Sequence, residues 1–290
     1  MDFGVRTLIE RARGDYPVII AGPEEHALVA VHEFGLGRAE IVAADTDEAV
    51  AAETVERARH AGALILKGSI STPALARALL RSGDRSSRFV HVALLAFPAL
   101  GRLVVLADAG INLQPTGDVQ VEVAERALEV AHALGLTGGV CVLGHAEHPD
   151  KRIASSKRGV DWAERLTRRF DGEDIAVAGP LSLDLALSDR SRQKKGSALP
   201  RFDVVLAPDI VVANVLFKAV MLSGGAAAGV LASKEAAVAV PSRAGTPTEK
   251  AISLALARLL ADVRGGFAVY PSDRSVDCAP EVPYATGRGQ

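Results

Sequence analysis

The chain has 290 residues, 49% of them hydrophobic and 23% charged, with a formal charge of −2 at pH 7. That apolar fraction supports a large folded core and excludes a disordered chain. A near-neutral charge without basic blocks excludes a general nucleic-acid binder. No window offers about twenty uninterrupted apolar residues, so no membrane span is expected.

The opening run "MDFGVRTLIERARGDYP" carries charges through its apolar positions and does not read as a secretion signal. From there, apolar runs of strand length alternate with helical stretches. "PVIIAG" is followed by a helix predicted over 23–34, "AEIVAA" by one over 45–60, and "ALILKG" by one over 72–81. "FVHVALLAF" and "RLVVLAD" precede a helix over 118–134, and "GVCVLG" one over 155–170. "DIAVAG" and "FDVVLAP" lead to a helix over 211–222, and "AAVAVP" to one over 246–263. The last residues, 266–290, are rich in Pro, Gly and Ser and read as an extended tail. Continuous apolar strands between amphipathic helices mean an α/β fold with buried, mainly parallel sheets and flanking helices. Alternation alone allows one long sheet or two domains. The two cysteines, Cys141 in an apolar run and Cys278 in the tail, make no disulfide framework, so a cytoplasmic location is expected.

In open α/β sheets ligands bind beyond the carboxyl ends of strands, so the residues just after the apolar runs carry the information. "GLGRAE" contains G-x-G but follows a helix and precedes a strand, the reverse of a dinucleotide turn, and no P-loop occurs. "GHAEH" groups His145, Glu147 and His148, yet adjacent strand-end residues diverge and no third partner is evident. A solvated loop is the better reading, and no metal site is expected. "KGSISTP" places Lys67 after a strand, with Thr72 as a natural N-cap and Pro73 as a natural first helical residue. It is either an ordinary strand–turn–helix or an anion cradle. "VPSRAGTPTEK" contains the capping box Thr246–Glu249 with Pro at the first position. That explains Glu249. It does not explain Ser242 and Arg243, which leave a buried strand towards the same helix mouth. A hydroxyl, a guanidinium and a helix N-terminus converging on one point make a phosphate site.

Taken in order, these segments resemble the phosphate acetyl/butyryltransferase family over roughly residues 60 to 262. "KGSIST" is similar to its K-G-x-x-x-T turn, and "LADAGIN" to its T-D-A-x-x-N segment, giving Asp108 and Asn112. "AEHPDKRIASS" is a worn version of a further run, with Glu147 kept. "AGPLSLDLA" supplies Asp184, and "APDIVVANVLFK" supplies Asp209, Asn214 and Lys218. "PSRAGTPTEKAISLALA" matches the S-R-x-x-S-x-x-x-K ending. The chain departs from the pattern at four places. Ala213 replaces Gly, Thr246 replaces Ser, Ala107 replaces Thr, and Gly245 stands where butyryl-type members usually have Asp and acetyl-type members Cys.

The resemblance implies a two-domain architecture like that of the isopropylmalate dehydrogenases, with the active-site cleft between domains. Residues 1–108 and 241–290 would form one discontinuous domain, and 109–240 the other. It implies a homodimer, and exchange of a short acyl group between coenzyme A and inorganic phosphate by direct transfer in a ternary complex. Coenzyme A is then a substrate, and no tightly bound cofactor is expected. The implied catalytic residues are Ser242, Arg243 and Glu249. Lys67, Thr72, Arg243 and Thr246 are phosphate or acyl contacts. Asp108, Asn112, Asp184, Asp209, Asn214 and Lys218 either shape the cleft or bind loop backbone and cap helices. Two other readings stay open: a divergent, non-catalytic homologue that binds coenzyme A or an anion, and a metal- and NAD-dependent decarboxylating dehydrogenase on the same fold.

Overall fold

The structure, a computed structural model, describes residues 4–82, 88–145, 150 and 152–264. The first half runs α1 (Val5–Ala12), β1 (Gly14–Ala21), α2 (Glu25–Phe34), β2 (Leu36–Val42), α3 (Asp47–Ala61), β3 (Leu64–Lys67), α4 (Thr72–Ser82), β4 (Val90–Phe97) and β5 (Arg102–Ala107). The second runs α5 (Asp118–Ala133), β6 (Gly139–Leu143), α6 (Ala154–Arg169), β7 (Val177–Leu181), α7 (Leu183–Leu187), α8 (Asp189–Lys194), β8 (Phe202–Leu206), α9 (Ile210–Leu222), β9 (Ala226–Ala232), β10 (Ala237–Ala239) and α10 (Pro247–Val263).

Local chemistry sets the helix ends. Thr46 caps α3 by accepting from the Ala49 amide, Asp47 and Glu48 face its positive first turn, and Gly62 closes it in the left-handed conformation. At the start of α10 the capping box is complete, with Pro247 in the first turn. The helix predicted to begin at Thr72 differs in one detail. Thr72 is already helical, and Ser71 does the capping, its hydroxyl accepting from the Ala74 amide at 3.4 Å.

All ten strands join one sheet, in the order β2-β1-β3-β10-β9-β4-β5-β8-β6-β7. Of the two arrangements that alternation allowed, this is the single long sheet, and it is completed by β9, the Ala- and Gly-rich strand "AAAGVLA", which is absent from the apolar runs read above. It pairs antiparallel with β10 on one side and β4 on the other. β4 is in turn antiparallel to β5. The block β2-β1-β3-β10 and the block β5-β8-β6-β7 are each internally parallel and run in opposite directions. β5, in the first expected domain, pairs with β8 of the second; β9 and β10, both in the second, pair with β4 and β3 of the first.

The two faces of this sheet are covered differently. On one, a single core joins α1, α2, α5, α6 and α10 across both blocks. On the other, the apolar side chains divide into two clusters. One unites α3 and α4 with Ile65, Leu231, Val238 and Val240. The other unites α7 and α9 with Ala93, Leu106 and Val205. Among the described residues no helix is long and apolar enough to cross a membrane.

Candidate active site

β10 delivers the chain into a tight turn before α10. The Gly245 amide donates to the Ser242 carbonyl at 3.0 Å, closing residues 242–245 into one loop. Lys250, one turn into α10 and fully buried, donates to the same carbonyl at 3.3 Å and pairs with the Glu24 carboxylate at 3.1 Å. Glu24 is itself the N-cap of α2, accepting from the His26 and Ala27 amides. The His26 ring nitrogen Nδ1 lies 3.2 Å from the Gly245 carbonyl. The start of α2 therefore clamps both ends of the Ser242–Gly245 loop.

Glu249 does what a capping-box residue does. Its Oε2 accepts from the Thr246 amide at 2.8 Å and the Thr246 hydroxyl at 3.2 Å, while Oε1 faces the Ala227 amide at 3.5 Å. It is buried, so the box is shielded from water. Thr246 is exposed and caps the helix, and Ser242 is half-buried. Arg243 is exposed, and its guanidinium has no hydrogen-bond partner among the described residues. Its field is nevertheless felt by two neighbours, Asp47 and Lys67.

Lys67 ends β3 and is buried. Its ammonium donates to the Gly68 carbonyl at 3.2 Å and the Ile70 carbonyl at 3.3 Å, tying down its own turn. Burial first, then the nearby charges of Lys250 and Arg243, bring its pKa down to about 8, against the pull of Glu24 and Asp47. Asp47 accepts from the Ser71 amide at 2.8 Å. That bond, with smaller help from Arg243 and Lys67, holds its carboxyl below the usual range. Lys67, Arg243, Asp47, Ser71, Glu24 and Lys250 thus meet where β1, β3 and β10 end. There the N-termini of α2, α4 and α10 turn their positive dipole ends. Glu24 pairs with Lys250, while the ammonium of Lys67 is held by carbonyls.

The sequence-predicted residues divide. Ser242, Arg243, Thr246, Glu249, Lys67 and Thr72 come together on this edge. The second set lies with the β5–β8 block and is mostly structural. Asp108 is buried and accepts from the Gly110, Ile111 and His91 amides and the Asn112 side chain. Asn112 also donates to the Phe89 carbonyl. Asp184 accepts from Ser182 and pairs with Lys195, which holds its carboxyl at about 2. Asp209 caps α9 through the Val212 amide. Asn214 and Lys218 are exposed on α9. Glu24, His26, Asp47, Ser71 and Lys250 were not foreseen as site residues. Only Lys250 had a signal, as the last residue of the matched S-R-x-x-S-x-x-x-K pattern.

Burial pushes the Cys141 thiol up to about 12, which disqualifies it as a nucleophile. Among the described residues no three His, Cys, Asp or Glu side chains are placed to hold a metal ion. Glu147, His148, Cys278 and the tail at 266–290 lie outside the described residues.

A family model described as phosphate acetyl/butaryl transferase matches residues 24–257. A Bacillus subtilis (strain 168) protein named "Probable phosphate butyryltransferase" is 31% identical over 227 residues, 75% of this chain and 76% of the relative. The phosphate acetyltransferase of Thermotoga maritima is 28% identical over 255 residues, 84% of this chain and 86% of the relative. A crystal structure of a branched-chain phosphotransacylase from Enterococcus faecalis V583 superposes with a TM-score of 0.69 at 28% identity. It covers 84% of this chain and 99% of that one.

Proposed function

The chain belongs to the phosphate acetyl/butyryltransferase family of transferase enzymes, and from that premise we propose that it exchanges a short acyl group between coenzyme A and inorganic phosphate. Arg243 carries the reading: it is an exposed guanidinium with no partner among the described residues, set at the mouth of α10 beside Lys67. A fork of N–H donors in that place suits a phosphate, which it grips in two-point fashion.

The reaction needs three things of these residues. In the direction from acyl phosphate, the coenzyme A sulfur attacks the acyl carbon, a C–S bond forms, the C–O bond to phosphate breaks, and phosphate leaves. The thiol has a pKa of about 8.5, so a base at the sulfur raises the share of thiolate. In this proposal Glu249 takes the proton through Oε1, whose hydrogen bond among the described residues is long, while Oε2 keeps the cap. Charge building on the acyl oxygen is met by the Ser242 hydroxyl and the N–H groups of the turn. Arg243, with Lys67 and the Thr72 and Thr246 turns, holds the phosphate and favours its departure. Transfer is direct in a ternary complex.

A two-domain arrangement like that of the isopropylmalate dehydrogenases, with substrates in the groove between the α3–α4 and α7–α9 clusters, is part of the same proposal. So is a homodimer in the cytoplasm. The exposed apolar side chains of Val211, Val215 and Leu222 on α9 support a face covered by a second copy. Thiol release from a panel of acyl-CoAs, with and without phosphate, tests the reading.

A further inference from the structure

We propose that His26 is a positioning residue for the transfer step: its ring Nδ1–H holds the carbonyl of Gly245, and through that one peptide unit it sets the carboxylate of Glu249. The proposal rests on the acyl-transfer reading above and adds a residue of α2 that lies outside every motif resembling the family.

The first support is geometry. The peptide between Gly245 and Thr246 is held at both of its polar atoms. Its oxygen lies 3.2 Å from Nδ1 of His26. A carbonyl only accepts, so Nδ1 carries the proton. Its N–H, which belongs to Thr246, donates to Oε2 of Glu249 at 2.8 Å. That is shorter than the carboxylate's contacts with the Thr246 hydroxyl, at 3.2 Å, and the Ala227 amide, at 3.5 Å. A chain of hydrogen bonds therefore runs from His26 through one peptide to Glu249, and bonds in such a chain polarise one another. The peptide is a rigid plane, so a rotation that breaks one of these bonds also breaks the other.

The second support is the residue that carries this carbonyl. Gly245 has no side chain to restrict its torsions, so its peptide is fixed by hydrogen bonds or not at all. A Cβ there would sit 3.0 Å from the Ser242 carbonyl oxygen and 3.4 Å from Oε2 of Glu249, so the turn and the carboxylate close tightly on the glycine. The first residue of the turn has its own anchors. The Ser242 carbonyl accepts from the Gly245 amide at 3.0 Å and from the Lys250 ammonium at 3.3 Å. Arg243 and Ala244, between the two ends, are exposed. His26 is the anchor from α2 for the far end, where the turn passes into α10.

The third support is what the ring leaves alone. His26 is exposed, and the start of α2 is capped without its side chain, because Glu24 accepts from the His26 and Ala27 amides. Removing the ring therefore keeps the helix start and the core, and subtracts the contact to Gly245. The effect falls on orientation. Oε1 and Oε2 share one carboxylate plane, so the short bond to Oε2 decides where the lone pairs of Oε1 point. A general base works only when it is held within reach of the proton and in line with it. Phosphate, gripped by Arg243, does not depend on that alignment.

The test uses the full chain. His26→Ala should lower kcat by about twofold to tenfold, the range for one lost hydrogen bond, with KM for phosphate and the melting temperature close to the parent's. His26→Asn should restore most of the loss, because its amide N–H stands where Nδ1–H stood. His26→Gln should not, because its amide stands where Nε2 did. A second readout needs no turnover. In the parent labelled with 15N at histidine, at about pH 8.5 where imidazole is neutral, His26 should show a protonated Nδ1 and a bare Nε2. The 13C signal of the Glu249 carboxyl should move in His26→Ala and return in His26→Asn. A bare Nδ1 in the parent, a Glu249 signal that His26→Ala leaves in place, a parental kcat in His26→Ala, or equal rescue by Gln overturns the proposal. The expected spectra in a protein that never turns over acyl-CoA would uphold the positioning of Glu249 and sink the acyl-transfer reading instead.

Discussion

The buried ammonium of Lys250 lies 3.1 Å from the carboxylate of Glu24, and the same ammonium donates to the carbonyl of Ser242. Two helices and the candidate catalytic turn are therefore tied at one point. Lys250 is fully buried, while Glu24 keeps some contact with water. Lys250→Met should lower unfolding free energy by about 2–4 kcal/mol in urea titrations, somewhat under the cost of breaking a fully buried pair. Adding Glu24→Gln should recover part of that loss, because the stranded carboxylate is then removed. A strictly additive double variant would show that the pair does not couple.

Arg243 is exposed and makes no hydrogen bond to the described residues, so the fold does not depend on it. Arg243→Ala is expected to lose turnover by about a hundredfold or more, with the melting temperature unchanged. Arg243→Lys should regain only part of the activity, since an ammonium cannot copy a two-point grip. Full activity in Arg243→Ala would remove the phosphate site from this loop.

Glu249 separates capping from chemistry. Gln serves at the third helical position of a capping box nearly as well as Glu. Glu249→Gln should therefore melt close to the parent, yet lose most turnover if its free lone pair takes the thiol proton. Parental turnover together with parental melting would leave Glu249 a capping residue alone.

Lys67 supplies a pH test. Its pKa of about 8 lies below the ordinary 10.5 because burial and two neighbouring cations disfavour the charged form. The charge that attracts an anion is thus present below pH 8 and lost as pH rises through it. Sulfate, whose charge is constant over this range, should bind with steady affinity to about pH 8. Above it, affinity should weaken by up to about tenfold per pH unit, the slope for one proton. Lys67→Arg should flatten the profile. A parental profile already flat to pH 10 would contradict the placement of Lys67 beside the bound anion.

The alternation of apolar runs and amphipathic helices was enough to place most strands and all the long helices after residue 20, because burial on both faces leaves an unbroken apolar signature. β9 escaped because alanine and glycine carry little β preference, and only its position between β10 and β4 makes it a strand. α7 and α8 escaped because five and six residues show too little periodicity. At the site, Ser242 and Arg243 stood out because no capping rule needs them. Lys250 and Glu24 did not, since what marks them is who lies beside them. Glu24 meets Lys250 only after the sheet has brought distant segments together. Thr72 and Ser71 were indistinguishable by composition, and the helix began one residue early.

The central claim is acyl transfer between coenzyme A and phosphate at the Ser242–Arg243 turn, and phosphate-dependent thiol release tests it most directly. Acetyl-, propionyl-, butyryl- and branched acyl-CoAs are offered to the purified chain, and free thiol is followed with and without inorganic phosphate. The expected result is rapid release from at least one short acyl-CoA that requires phosphate, forms the matching acyl phosphate, and disappears in Arg243→Ala. Binding of coenzyme A or phosphate with no release from any of them, or release indifferent to phosphate, would contradict the account.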